Sequence, residues 1–152
     1  MNLALAAEHE PGSLKMKETK NTMTEATPRP VDVKKIQKFL AQKKGKMKVL
    51  LSFCAHCGLC AESCFLYRNH LDPKYVPAYK AINSLGKIYK KKGRVDREQL
   101  EEMKELIFKN CVLCGRCYCP LGIDIPSMIS LARTICRSQG VYGVFPHAVG
   151  EP

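Results

Sequence analysis

Eight of the nine cysteines in this 152-residue chain fall into two tight groups. The first is Cys54, Cys57, Cys60 and Cys64. The second is Cys111, Cys114, Cys117 and Cys119, followed by Pro120. Each group opens with three thiols at two-residue gaps. That spacing wraps a short loop around three corners of an iron–sulfur cubane, whereas a tetrahedral zinc has no need of a third closely spaced thiolate. A disulfide framework fits poorly, because the count is odd and the thiols crowd into single loops. The expectation is two [4Fe–4S] clusters in a reducing compartment, with zinc and disulfides as the weaker readings.

The fourth cysteine of such a group lies too far round its loop and typically ligates the other cluster. A crossed pair follows. Cluster one takes Cys54, Cys57, Cys60 and Cys119, and cluster two takes Cys111, Cys114, Cys117 and Cys64. Gly58 and Gly115 follow the second cysteine of each group, where a small residue lets the backbone approach and aim N–H groups at sulfur. The second group departs from the usual spacing, since only Tyr118 separates Cys117 from Cys119. Side chains two apart on an extended segment share a face, so serving different clusters calls for a turn at Tyr118. The alternatives are a missing corner, giving a [3Fe–4S] or labile site, or a substitute ligand. Cys136, the ninth cysteine, shares an inward helical face with Met128 and Ala132 and reads as a buried small hydrophobe. Phe65 stands where proline often follows such a group, and with Leu66 it would shield cluster two from water.

The rest of the chain is patterned for helices. Residues 1–30 are rich in Glu, Lys, Thr and Pro without an apolar period and read as a flexible tail. Asp32 is placed to cap a helix, with Val31 and Ile36 as a staple, Val33, Ile36 and Leu40 as its stripe, and Gly45 as its end. Residues 47–53 form an apolar, helical lead into Cys54. Pro77 opens a helix with Ala78, Ile82, Leu85 and Tyr89 on one side, and a Lys-rich turn at Gly93 follows. Asp96 caps a helix whose stripe is Leu100, Met103 and Ile107 and which runs into Cys111. Asp124 and Pro126 start the last helix, with Met128, Ala132 and Ile135 inward. Strand signals are nearly absent. The fold class is all-α, with two cysteine loops set between helices. Residues 31–140 form the domain, and residues 141–152 form a C-terminal extension that reads as partner-docking.

The net charge is +11, and residues 33–53 hold seven Lys and no acid. An Fe4S4 core of charge +2 on four thiolates leaves −2, so two such sites lower the formal charge to about +7. The lysines then act partly as counter-charge and partly as a docking surface. Those near the clusters, and Arg116, would raise the cluster potentials. With no Trp the apolar core is modest, which leaves room for metal sites to help hold the fold. The opening residues MNLALAA are too short, and lack the basic flank, for a signal peptide. No apolar run approaches the ~18 residues of a membrane span. A cytoplasmic protein is expected, or one held peripherally to the membrane by a partner subunit. The basic run at residues 34–48 motivates a second function, a metal-stabilised nucleic-acid-binding module. Phe39 is its only aromatic, however, and single-strand binders stack bases on several. No nucleophile–base pair or phosphate loop accompanies His56, His70 or His147, so no catalytic residue is assigned and no substrate conversion is expected of this chain. His56 lies within the first cysteine loop, where it would tune cluster one.

CAHCGLCAESC at residues 54–64, NSLG at 83–86, NCVLCGRCYCPLGIDIP at 110–126 and AR at 132–133 together resemble the small two-cluster iron–sulfur protein of heterodisulfide reductase. They are also similar to the matching N-terminal part of the fused form of that enzyme, in which a cluster domain and a CCG-motif domain share one chain. The wider group includes the C-terminal cluster domain of succinate dehydrogenase iron–sulfur proteins. The resemblance spans roughly residues 50–140. It implies an α-helical ferredoxin fold with two [4Fe–4S] clusters that relays electrons between a flavoprotein or membrane cytochrome subunit and a catalytic subunit bearing CCG motifs. No CCG motif occurs in this sequence; for a complete chain, the resemblance implies that the catalytic subunit is a separate polypeptide.

Overall fold

A computed structural model describes residues 30–143. The expected tail, but for residue 30, and most of the expected extension lie outside the described residues.

Helix α1 (Val33–Ser52) begins at the expected cap: the Asp32 carboxylate accepts the Lys35 N–H at 2.9 Å. It does not stop at Gly45. Met47 continues the buried stripe of Ile36 and Leu40, and Leu50 and Leu51 carry it on to the cysteine loop. Burying those side chains outweighs the ~1 kcal/mol that a mid-helix glycine costs. The apolar lead into Cys54 is therefore the last turns of α1.

The single-turn helices α2 (Leu59–Glu62) and α3 (Phe65–His70) lie within and just after the first cysteine group. A 3₁₀ turn (Pro73–Tyr75) leads into α4 (Pro77–Ala81). A π-helical turn (Ile82–Gly86) joins α4 without a break to α5 (Lys87–Lys90). Inside this rod the buried Ser84 hydroxyl donates to the Lys80 carbonyl at 2.6 Å. Gly93 turns the chain with φ +78, and its N–H closes the end of α5 on the Ile88 carbonyl at 2.9 Å. Helix α6 (Arg97–Lys104) starts with a capping box between Asp96 and Gln99, then runs through a second π-helical turn (Glu105–Lys109) to Asn110. Helix α7 (Ile125–Ser138) is capped by Asp124, which accepts the Ser127 N–H at 3.1 Å.

No strand occurs among the described residues, and the fold is all-α as expected. Helix α7 buries Met128, Ile129, Ala132, Ile135 and Cys136 against a core that includes Ile36, Leu85, Leu100, Met103 and Ile107. Fully burying one large apolar side chain is worth ~1.5–3 kcal/mol. The ion pairs among the described residues all involve substantially exposed side chains, and such pairs contribute about 0–1 kcal/mol each. Apolar packing therefore holds the frame. At one end of it the Asp32 N–H donates to the Gln139 side chain and Arg97 donates to the Gln139 carbonyl, both at 2.8 Å. Val141 is buried in the same core.

Two glycine substitutions should move stability in opposite directions. An added Cβ at Gly45 meets nothing within 4 Å, so Gly45→Ala should stabilise by ~0.5–1 kcal/mol in urea unfolding. At Gly93 the same atom lies 3.1 Å from Gln37 and 3.3 Å from Ile36 in a left-handed residue, so Gly93→Ala should destabilise by ~1–3 kcal/mol. A loss of stability in Gly45→Ala would mean that α1 breaks there.

Candidate metal centre

The two cysteine loops repeat one backbone shape. In the first, His56 has φ 53 and Gly58 has φ 80; in the second, Leu113 has φ 56 and Gly115 has φ 78. Each loop is thus left-handed just before and just after its second cysteine. A left-handed non-glycine residue costs on the order of 1–2 kcal/mol, and both loops bear that cost at the same position. A Cβ added at Gly58 or Gly115 would meet no protein atom within 4 Å. Backbone conformation, rather than tight space between protein atoms, accounts for these glycines.

The loops enclose two cavities. The first, with about 470 Å³ of empty space including its open mouth, is lined by Cys54, Cys57, Cys60 and Cys119. Leu50 and Leu51 from α1, Ala78 and Ala81 from α4, and Met128 from α7 help to wall it. The second, of about 420 Å³ measured the same way, is lined by Cys64, Cys111, Cys114 and Cys117, with Pro77, Lys80 and Ile129 among its walls. Ile125 borders both. Phe65 and Leu66 line the second cavity, although Phe65 remains 66% exposed. His56 lines the first, and Arg116 lines neither. Cys136 is fully buried and also lines neither; burial pushes its thiol up to about 12.

The thiols feel one another within each cavity. Burial raises the Cys60 thiol, and Cys54 and Cys119 add to the rise. Burial also pushes the Cys117 thiol up to about 12. Cys111, Cys64 and Cys114 reinforce that rise, and Lys80 opposes it. A thiol held this high is protonated at neutral pH in the metal-free chain, so loading metal on Cys117 would release a proton. All nine cysteines are free. Among the described residues no three His, Cys, Asp or Glu side chains converge on a point that would hold a single ion. Each set of four thiols instead surrounds a volume, a donor arrangement that suits a thiolate-held polynuclear cluster better than a lone zinc.

Cys117 and Cys119 reach different cavities without a hydrogen-bonded turn between them. The cavities lie side by side across Ile125. Residues two apart span ~6.5 Å when extended, so side chains on one face can drop on either side of that divide. The Tyr118 N–H between them donates to the Ser63 hydroxyl at 3.0 Å, and that hydroxyl donates to the Cys60 carbonyl at 3.2 Å. The second group is thereby tied to the first.

Sequence reasoning assigns no role to Ser63, Lys80 or Arg133, although Ser63 and Arg133 lie in the motifs that carry the resemblance. Lys80 donates to the Asn110 carbonyl at 2.8 Å, and Arg133 donates to the Ile107 carbonyl at 2.8 Å and to the Cys111 carbonyl. These two cations hold the entry to the second loop. The one signal for Lys80 is its place between Pro77 and Ser84 on the inward side of a helix. That signal is lost among 25 basic residues.

Residues 50–123 match the family model described as 4Fe-4S dicluster domain. The match indicates two [4Fe–4S] clusters, for which eight cysteines lie in or just beside the two loops. Two curated relatives extend the match. An Hdr-like menaquinol oxidoreductase iron-sulfur subunit of Archaeoglobus profundus is 30% identical over 115 residues, and iron-sulfur subunit 2 of the same description from Archaeoglobus fulgidus is 29% identical over 114. Each alignment covers 66% of this chain and 20% of the relative, so the chain spans about a fifth of the length of these relatives. No solved structure matches the chain. The helical dicluster fold, the two clusters and the likeness to heterodisulfide reductase iron–sulfur proteins agree with these matches, and so does a role in electron transfer.

Ser63→Ala removes the partner of the Tyr118 N–H, at a cost of about 1 kcal/mol. Iron should then be lost to a chelator faster; unchanged release kinetics would contradict the linkage. Cys136→Ala should keep full iron and sulfide content while lowering stability by on the order of 1 kcal/mol. Loss of iron in that variant would show that the ninth thiol takes part.

Proposed function

We propose that this chain is the electron-relay part of an Hdr-like oxidoreductase complex. Cys54, Cys57, Cys60 and Cys119 would hold one [4Fe–4S] cluster, and Cys64, Cys111, Cys114 and Cys117 the other. The observation that carries this reading is the pair of four-thiol cavities, each drawing three cysteines from one loop and one from the other. When bound, each cluster takes up and returns single electrons at a potential set by burial, charge and hydrogen bonds to sulfur. The residues supply the rest. Strained loops preset the thiols, apolar walls from α1, α4 and α7 keep water away, and Ile125 separates the two sites. Cys57 and Cys114 are exposed, one at each site, where a redox partner can come close. A relay needs no acid or base.

The relatives' printed name, menaquinol oxidoreductase, supports partners that handle quinol electrons. In this reading the chain works beside a CCG-motif catalytic subunit and a flavoprotein or membrane cytochrome subunit. Among the described residues no helix is long and apolar enough to cross a membrane, and in this reading a partner subunit holds the chain at the membrane surface. The lysine face of α1 serves as docking surface.

Anaerobically purified protein should contain about eight iron and eight acid-labile sulfide per chain, with EPR signals of reduced [4Fe–4S] clusters after dithionite. Zinc without sulfide would sink the reading. Cys119→Ser should damage the cluster that Cys54→Ser also damages and spare the one that Cys111→Ser damages. The opposite pattern would break the crossed assignment.

A further inference from the structure

The two cavities differ in their basic side chains: His56, which is exposed, lines the first. No Lys or Arg lines the first, whereas Lys80 lines the second. Lys80 projects from α4 and is 1% exposed. Lysine is almost never fully buried unless it is paired, because stripping an ammonium of water is costly. Among the described residues no carboxylate lies within ion-pair distance of it. Its one hydrogen bond goes to the Asn110 carbonyl, immediately before Cys111, and uses one of three donors. A neutral donor would cap that carbonyl equally well, so the bond does not account for a full positive charge. The anionic groups available to Lys80 are the thiolates of the cavity it lines. Its backbone is held in turn, since Ser84 donates to the Lys80 carbonyl at the start of the π-helical turn.

We propose that Lys80 is the built-in counter-charge of the second cavity and makes the cluster there the more easily reduced of the two. The inference rests on the cluster reading above. Adding an electron adds negative charge, and a buried cation at close range favours that state most where water is excluded. The first cavity has no buried cation in its walls, since its one basic side chain, His56, is exposed to water. With both clusters bound, an electron shared between the sites would then favour the second.

The test is an anaerobic redox titration of the full chain followed by EPR, on wild type and on two variants. Lys80→Met keeps the stem and removes the charge; Lys80→Gln removes the charge and keeps a neutral donor for Asn110. Wild type should show two midpoints, the higher belonging to the signal that Cys114→Ser alters. Both Lys80 variants should lower that midpoint alone, at unchanged iron and sulfide content. Midpoints that stay in place with both clusters intact would overturn the proposal. So would loss of the second cluster in Lys80→Met with no shift in Lys80→Gln, since Lys80 would then be only a hydrogen-bond donor. The wild-type order of midpoints is decisive even if both variants fail to fold: a higher midpoint at the first cavity refutes the idea. Wild-type protein without sulfide would instead sink the cluster reading, and this inference with it.

Discussion

One hydrogen bond joins the halves of the metal centre. The Tyr118 N–H lies between the two most closely spaced thiols and donates to Ser63, which itself lies between Cys60 and Cys64. Each group hands one cysteine to the other group's cavity, so neither cavity is complete until both loops stand in register. The contact that sets the register spans 55 residues and is made by a small hydroxyl, which has little reach with which to absorb error. The divide at Ile125 has the same requirement, since it separates the cavities only if α7 starts where Asp124 caps it.

The strain in the loops makes sense only on such a frame. His56 and Leu113 adopt a backbone that side chains disfavour, and each loop also carries a glycine with no close protein neighbour. A loop of this kind would relax if its ends were free. Its ends are helices packed against the core: α1 delivers the half-buried Leu50 and Leu51 to the first cavity, and the π-helical turn after α6 delivers Asn110 to the second loop. Lys80 and Arg133 then hold successive carbonyls of that entry. The cost of strain and of a buried cation falls on the loops, and apolar packing elsewhere offsets it.

What the sequence makes legible follows from how local each signal is. The three Asp caps, at Asp32, Asp96 and Asp124, depend on residues within three positions, and all three accept the backbone N–H expected of them. The stripes Leu100, Met103, Ile107 and Met128, Ala132, Ile135 are inward because helical geometry repeats regardless of context. Gly45 misleads because its end signal is local while the burial of Met47, Leu50 and Leu51 is not. The spacing around Tyr118 suggests a turn because side-chain alternation says nothing of two cavities lying side by side. Lys80 is invisible for a related reason: a lysine is exposed by default, and only the packed structure shows one enclosed.

The pinning of Gln139 also bears on how this module can be built into larger proteins. Asp32 at the start of α1 and Gln139 at the end of α7 are hydrogen-bonded, while Leu50 of α1 and Ile125 of α7 both border the cysteine cavities. The two helices thus run antiparallel, with their outer ends together about 20 Å from the thiols, the length of α7. Polypeptide joined ahead of residue 30 enters at that outer end, whereas Gly143 has already turned back to lie against Phe108, three residues before Cys111. A segment fused ahead of α1 would therefore join the module on the side away from its thiols, while one fused after residue 143 would start close to the second loop.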